Sequence, residues 1–130
     1  MSVNKGMPIL VVDDYATMRR IIENLLRQLG FNNTVEAVDG SDALAKLKRQ
    51  KYGLVFSDWN MAPMTGIELL QEVRKDPDLK HIPVIMVTAE SKRENIIAAK
   101  EAGASNYIVK PFDAATLKTK MTSVLGAFDA

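Results

Sequence analysis

The feature that most constrains this chain is a strict alternation of five strand-length apolar runs with five helical patterns. The runs are Ile9–Val12, Thr34–Ala37, 54–57, 84–87 and 107–109. Three of them (ILVV, LVFS, VIMV) carry almost no polar residue, as strands buried on both faces of a parallel sheet do. Between them, Met18, Ile21, Ile22, Leu25, Leu26 and Leu29 recur at helical spacing and predict one apolar face. Gly30 stands where a left-handed C-cap belongs, and Gly103 closes the fourth helix in the same way. The second helix begins near Ser41 and turns Ala43, Leu44 and Leu47 inward. Capping boxes, Thr65 to Glu68 and Ser91 to Glu94, open the third and fourth. The fifth starts after Asp113 and presents Leu117, Met121, Val124, Leu125 and Phe128. Strict alternation with short connections predicts a doubly wound α/β sandwich. The pattern runs from about residue 8 to 128, so one domain over residues 1–130 is expected, with no room for a DNA-binding output domain.

Charge and composition narrow the function. Lys plus Arg total 17 against 16 for Asp plus Glu, which argues against sequence-independent nucleic-acid binding. The longest apolar runs fall far short of the roughly 20 residues that cross a bilayer, and the opening MSVNKGMP has no secretory apolar core. Cysteine is absent, which excludes disulfide and thiolate chemistry. A cytoplasmic protein is expected.

In open α/β sheets the functional crevice lies at the carboxyl ends of the strands, beside the topological switch point. Those ends carry Asp13 and Asp14, Asp58, Thr88, and Lys110 followed by Pro111. A single Asp after a strand most often caps a helix, as Asp14 partly does, and a Lys-Pro pair most often marks a turn. The conjunction is what counts: distant segments deliver three carboxylates, a hydroxyl and an ammonium to one edge. Three crowded carboxylates repel one another, and a hard divalent cation with oxygen ligands, Mg2+ above all, relieves the conflict. Asp58 then stays ionised as a nucleophile, with Lys110 and Thr88 placed to meet phosphoryl oxygens.

The segments VVDDYATMRRIIENLLRQLGF, SDWNM, VTAE, RENIIAA and AGASNYIVKPF resemble the receiver family of two-component signalling, and within it the CheY-like chemotaxis response regulators. The resemblance implies a five-stranded parallel sheet in the order 2-1-3-4-5 flanked by five helices. It makes Asp58 the phosphoacceptor and Lys110 the phosphoryl-binding lysine. It implies that Asp13, Asp14, Asp58 and the backbone carbonyl of Asn60 hold Mg2+. Thr88 and Tyr107 become a switch pair, Asn60 and Glu90 tune hydrolysis of the acyl phosphate, and the bond before Pro111 is cis. A histidine kinase would be the phosphodonor, a phosphatase a further partner, and the flagellar motor switch the output of a monomer that is not itself a dedicated enzyme. The output face would include Lys92, Arg93, Ile96, Lys100, Tyr107 and Lys120. One segment departs from the family pattern: Ala62, Pro63, Met64, Thr65 and Gly66 stand where Pro, any residue, Met, Asp and Gly are usual. The shifted proline restricts Ala62, while Thr65 still caps a helix.

Trp59 beside the acceptor is a natural fluorescent reporter, whereas His81 and the seven methionines read as a solvated residue and core filler. A stand-alone receiver acting as a phosphate sink, or regulating a non-flagellar partner, fits the same residues. A phosphatase of the haloacid dehalogenase type wants Asp-x-Asp on the first strand, which here ends Asp-Asp-Tyr. A flavodoxin-like FMN binder wants a Ser/Thr/Gly-rich loop where this chain has DDYATM.

Overall fold

In the computed structural model, which describes residues 3–59, 61, 64–89, 93–126 and 128, strands and helices alternate without exception. They are β1 (Ile9–Val12), α1 (Ala16–Gln28), β2 (Thr34–Ala37), α2 (Gly40–Arg49), β3 (Leu54–Asp58), α3 (Gly66–Lys75), β4 (Val84–Thr88), α4 (Arg93–Ala102), β5 (Asn106–Val109) and α5 (Ala114–Leu125). Every strand pairing is parallel, and the sheet order is β2-β1-β3-β4-β5, as the resemblance implies. Register is tight at the centre, where Val12 faces Ala37 on one side and Ser57 on the other.

The period-2 alternation of a strand divides the core into two halves. Ile9, Val11, Leu54, Phe56, Ile85, Val87 and Ile108 face α1 and α5, where they meet Ile22, Leu26, Leu117 and Met121. Leu10, Val12, Val55, Val84 and Met86 face the opposite layer, meeting Leu47, Leu69, Leu70, Val73 and Ala99 from α2, α3 and α4. Phe31 and Phe56 are wholly buried, and truncating either to Ala would cost about 3–5 kcal/mol.

Local signals set most boundaries. Thr65 Oγ1 accepts from Glu68 N–H at 3.2 Å while Glu68 Oε1 accepts from Thr65 N–H at 3.0 Å, so the expected capping box forms. Asp113 caps α5 by accepting from Thr116 N–H at 2.8 Å. Gly30 and Gly103 have φ of +96° and +101°, the left-handed conformation in which glycine alone is unstrained. Ser91, the proposed cap of α4, lies outside the described residues, as do Ala62 and Pro63 of the divergent loop.

Three details depart from the sequence expectation. Ile21 is 44% exposed, because the inward stripe of α1 is centred on Ile22 and Leu26 and Ile21 falls beyond its edge. Asp14 does not cap α1: Tyr15 holds the N-cap position without a side-chain bond, and Asp13 Oδ1 instead accepts from Tyr15 N–H at 2.9 Å. The strands β3 and β4 also run one residue further than their apolar runs, through Asp58 and Thr88, because backbone pairing continues past the last apolar side chain.

Candidate functional site

The sheet order reverses between β1 and β3, so the segments leaving their carboxyl ends diverge and open a crevice. Backbone bonds carry the ladder past the strand ends and fix the residues there. Asp13 N–H donates to Ala37 O at 3.1 Å, Trp59 N–H to Val87 O at 3.0 Å, and Lys110 N–H to Thr88 O at 2.8 Å. The last of these ties the lysine to the strand that ends in the threonine. The Lys110–Pro111 peptide is cis, as the resemblance implies.

Asp13, Asp14 and Asp58 each turn a carboxylate oxygen into one cluster, with the three atoms within 4.8 Å of one another. Asp13, Asp58 and Thr88 are buried, and Asp14 lies at the solvent edge. Lys110 Nζ stands 3.1 Å from Asp58 Oδ1 and 3.5 Å from Asp13 Oδ2. Burial pushes the Asp13 carboxyl above its ordinary 3.8; the Tyr15 N–H works against this, Asp58 and Asp14 add to it, and Lys110 opposes it. Asp13 Oδ2 is buried yet has no hydrogen-bond partner among the described residues, since 3.5 Å to Lys110 is an ion-pair contact and not a bond.

An orphaned anionic oxygen beside two further carboxylates is a donor set short of positive charge. One ammonium cannot balance three carboxylates. All three offer hard oxygen ligands on one side of a cleft, which fits Mg2+ with retained water ligands. Asp13, Asp14 and Asp58 are thus the residues suited to hold it.

Of the other expected site residues, Tyr107 is half-buried on β5, with Lys120 Nζ 4.3 Å from its ring centroid. Trp59 is half-buried against the α2–α4 side of the core. Asn60 and Glu90 lie outside the described residues, as does Lys92 of the candidate output face. His81 is exposed, as expected.

Two residues that the sequence did not single out shape the site. Gly66 opens α3 hard against Asp58: a Cβ there would lie 2.1 Å from the Asp58 carbonyl oxygen, and Gly66 N–H donates to Trp59 O at 3.1 Å. The available hint is the family pattern, in which glycine is usual at this position. Arg19 reaches from α1 to the Asp13 carbonyl at 2.7 Å and to Glu36 Oε1 at 2.7 Å. No spacing rule reveals that bridge, because its partners lie on different strands.

Comparisons with known proteins agree with this geometry. The family model for the response regulator receiver domain matches residues 9–122. The chain is 59% identical over 122 residues to the chemotaxis protein CheY-3 of Vibrio cholerae, covering 94% of each. Among solved structures it is similar to the chemotaxis response regulator CheY4 of Vibrio cholerae, with a TM-score of 0.85 and 34% identity, covering 92% of this chain and 99% of that one. It is similar also to the receiver domain of the sensor histidine kinase PA1611 of Pseudomonas aeruginosa, which carries a magnesium ion coordinated in its active-site cleft. There the TM-score is 0.84 at 28% identity, covering 94% of this chain and 99% of that one. With a family match over most of its length and a close relative across nearly all of it, the chain belongs to the response regulator receiver domain family.

Proposed function

We propose that this chain is a chemotaxis response regulator that accepts a phosphoryl group on Asp58 from a histidine kinase. The observation that carries this reading is the Asp58 carboxylate in contact with Lys110 at 3.1 Å and crowded by Asp13 and Asp14. A carboxylate oxygen of Asp58 attacks the phosphorus of a phosphohistidine; the O–P bond forms as the P–N bond breaks, and the imidazole nitrogen departs with the electron pair. Lys110 pairs with a phosphoryl oxygen as negative charge moves onto the protein, and the Thr88 hydroxyl donates to another. Mg2+ held by Asp13, Asp14, Asp58 and the Asn60 carbonyl would neutralise charge on the carboxylates and on the incoming group. Asn60 and Glu90 are assigned to hydrolysis tuning by family resemblance alone.

The signal follows from charge. Replacing the single negative charge of the Asp58 carboxylate with the roughly two of an acyl phosphate draws Thr88 toward the phosphoryl group, and Tyr107 rotates into the space released. The surface of α4, β5 and α5 changes and binds its partner, for which the flagellar motor switch is favoured by the similarity to named chemotaxis proteins. The same reading takes residues 1–130 as one receiver domain working as a cytoplasmic monomer, with a phosphatase resetting it.

Incubation with a small acyl phosphate and Mg2+ followed by intact mass tests the chemistry. One phosphoryl adduct is expected on the wild type and none on Asp58→Asn; equal uptake by both removes the assignment. Capture on a motor-switch peptide, with and without phosphorylation, tests the output. Thr88→Ala is expected to accept phosphate without gaining peptide affinity, and undiminished binding by that variant refutes the switch. Phosphorylation with no peptide binding by the wild type would favour the phosphate-sink reading.

A further inference from the structure

We propose that Arg19 is a positioning residue for the acidic cluster, acting on the Asp13 peptide to hold its carboxylate ready for a divalent ion. The inference rests on the reading of the site given above and adds a residue to it. Arg19 lies in the first turn of α1, and its side chain is only 13% exposed. Its Nη1 donates to Asp13 O and its Nε to Glu36 Oε1, both at 2.7 Å, so one planar guanidinium bridges the end of β1 to the edge strand β2. Glu36 is itself anchored, its carbonyl accepting from Lys46 Nζ on α2.

Asp13 is therefore held at three of its four polar atoms. Its N–H is bound to Ala37 O, its C=O to Arg19, and its Oδ1 to Tyr15 N–H. The atom left over is Oδ2, buried and without a hydrogen bond among the described residues, beside Asp58 and Lys110. A backbone fixed at both its polar atoms, with the other carboxylate oxygen held by Tyr15, leaves the side chain little freedom except to present that oxygen to the cluster. Arg19 works through geometry more than through charge. Neighbouring groups that perturb the Asp13 carboxyl are Tyr15, Asp58, Lys110 and Asp14, while Arg19 bonds the main chain. The Arg19–Glu36 pair, with its glutamate 46% exposed, contributes little stability on its own account.

The role separates Arg from Lys. A lysine retains the charge but cannot reach the carbonyl and the carboxylate together from one planar fork. Calorimetric titration with Mg2+, with Trp59 emission followed in parallel, gives the affinity of wild type, Arg19→Met, Arg19→Lys and Glu36→Gln. Both Arg19 variants are expected to raise the Mg2+ Kd by about tenfold, the usual effect of losing a group that orients a ligand. Glu36→Gln retains an acceptor oxygen and stays near wild type. Phosphate uptake by the Arg19 variants should return to the wild-type rate at saturating Mg2+, because Asp58 itself is untouched. Urea midpoints in chelator identify any variant that fails to fold; should Arg19→Met fail, Arg19→Lys decides. Wild-type affinity in a folded Arg19→Lys overturns the inference alone. A wild type that binds no Mg2+ overturns the reading of the site and this inference together.

Discussion

Lys110 Nζ lies 3.1 Å from Asp58 Oδ1 across a separation of 52 residues, and the same ammonium stands 3.5 Å from Asp13 Oδ2. A single cation shared between two carboxylates, with a third alongside, leaves the cluster net negative. Positive charge brought to the cluster therefore relieves its repulsion.

Metal should therefore stabilise the fold. Mg2+ at about a hundred times its Kd is expected to add about 2.7 kcal/mol to unfolding free energy, by mass action on the folded state alone. Asp13→Asn should abolish most of that gain while leaving the metal-free protein as stable as wild type or more so, since the charge on a buried carboxylate, one oxygen of which has no hydrogen bond among the described residues, is removed. Urea unfolding in Mg2+ and in chelator measures both.

Gly66→Ala should damage fold and site together. Its Cβ would stand 2.1 Å from the Asp58 carbonyl oxygen and 2.8 Å from Met86 Cε, so the backbone of α3 or β3 must shift. Forcing α3 away from β3 is expected to cost about 1–3 kcal/mol. Phosphate uptake should slow as well, because the displaced backbone is that of Asp58, the proposed acceptor. Denaturation midpoints and acyl phosphate kinetics are the two readouts.

The ring of Tyr107 is held from outside by Lys120, whose Nζ is 4.3 Å from the centroid. Inward rotation must give up this cation–π contact, worth about 0.5–1 kcal/mol at an exposed position. Lys120→Met is expected to raise the inward-rotated population of Tyr107 in the unphosphorylated chain by roughly two- to fivefold, that energy converted to a population ratio. Fluorine NMR of a chain labelled with fluorotyrosine would detect the change.

The caps give stability an acid limit. Asp113 is held below its ordinary 3.8 first by the Thr116 N–H and then by the Thr116 hydroxyl. A depressed carboxyl contributes stability that is present above its unfolded value and lost as pH falls through the folded one. Asp113→Asn should be less stable than wild type at neutral pH, with the gap closing below pH 3.8. Glu68, lowered by the Thr65 N–H from an ordinary 4.5, titrates in the same direction. Urea midpoints taken from neutral to acid pH test this, and a gap that widens in acid refutes it.

Much of the molecule is legible in the chain alone. The bounds of β1 and β2 agree with their apolar runs, and Thr65, Asp113, Gly30 and Gly103 act at the helix ends where their chemistry suits them. Strand periodicity, capping and glycine φ are local effects, determined within a few residues, so sequence reports them directly. Ile21 and Asp14 escape that logic. The edge of a buried stripe depends on what packs beside it, and a cap depends on which of two adjacent carboxylates the turn presents.

The residue types at the strand ends were determined by sequence, and so was the divalent-ion chemistry they suggest. Only the tertiary structure brings their atoms to contact: Lys110 to Asp58, Gly66 against the Asp58 carbonyl, and Arg19 to Asp13 and Glu36. The reason is physical. Such contacts join elements that are remote along the chain, and their distances are settled by how two helical layers close on one twisted sheet.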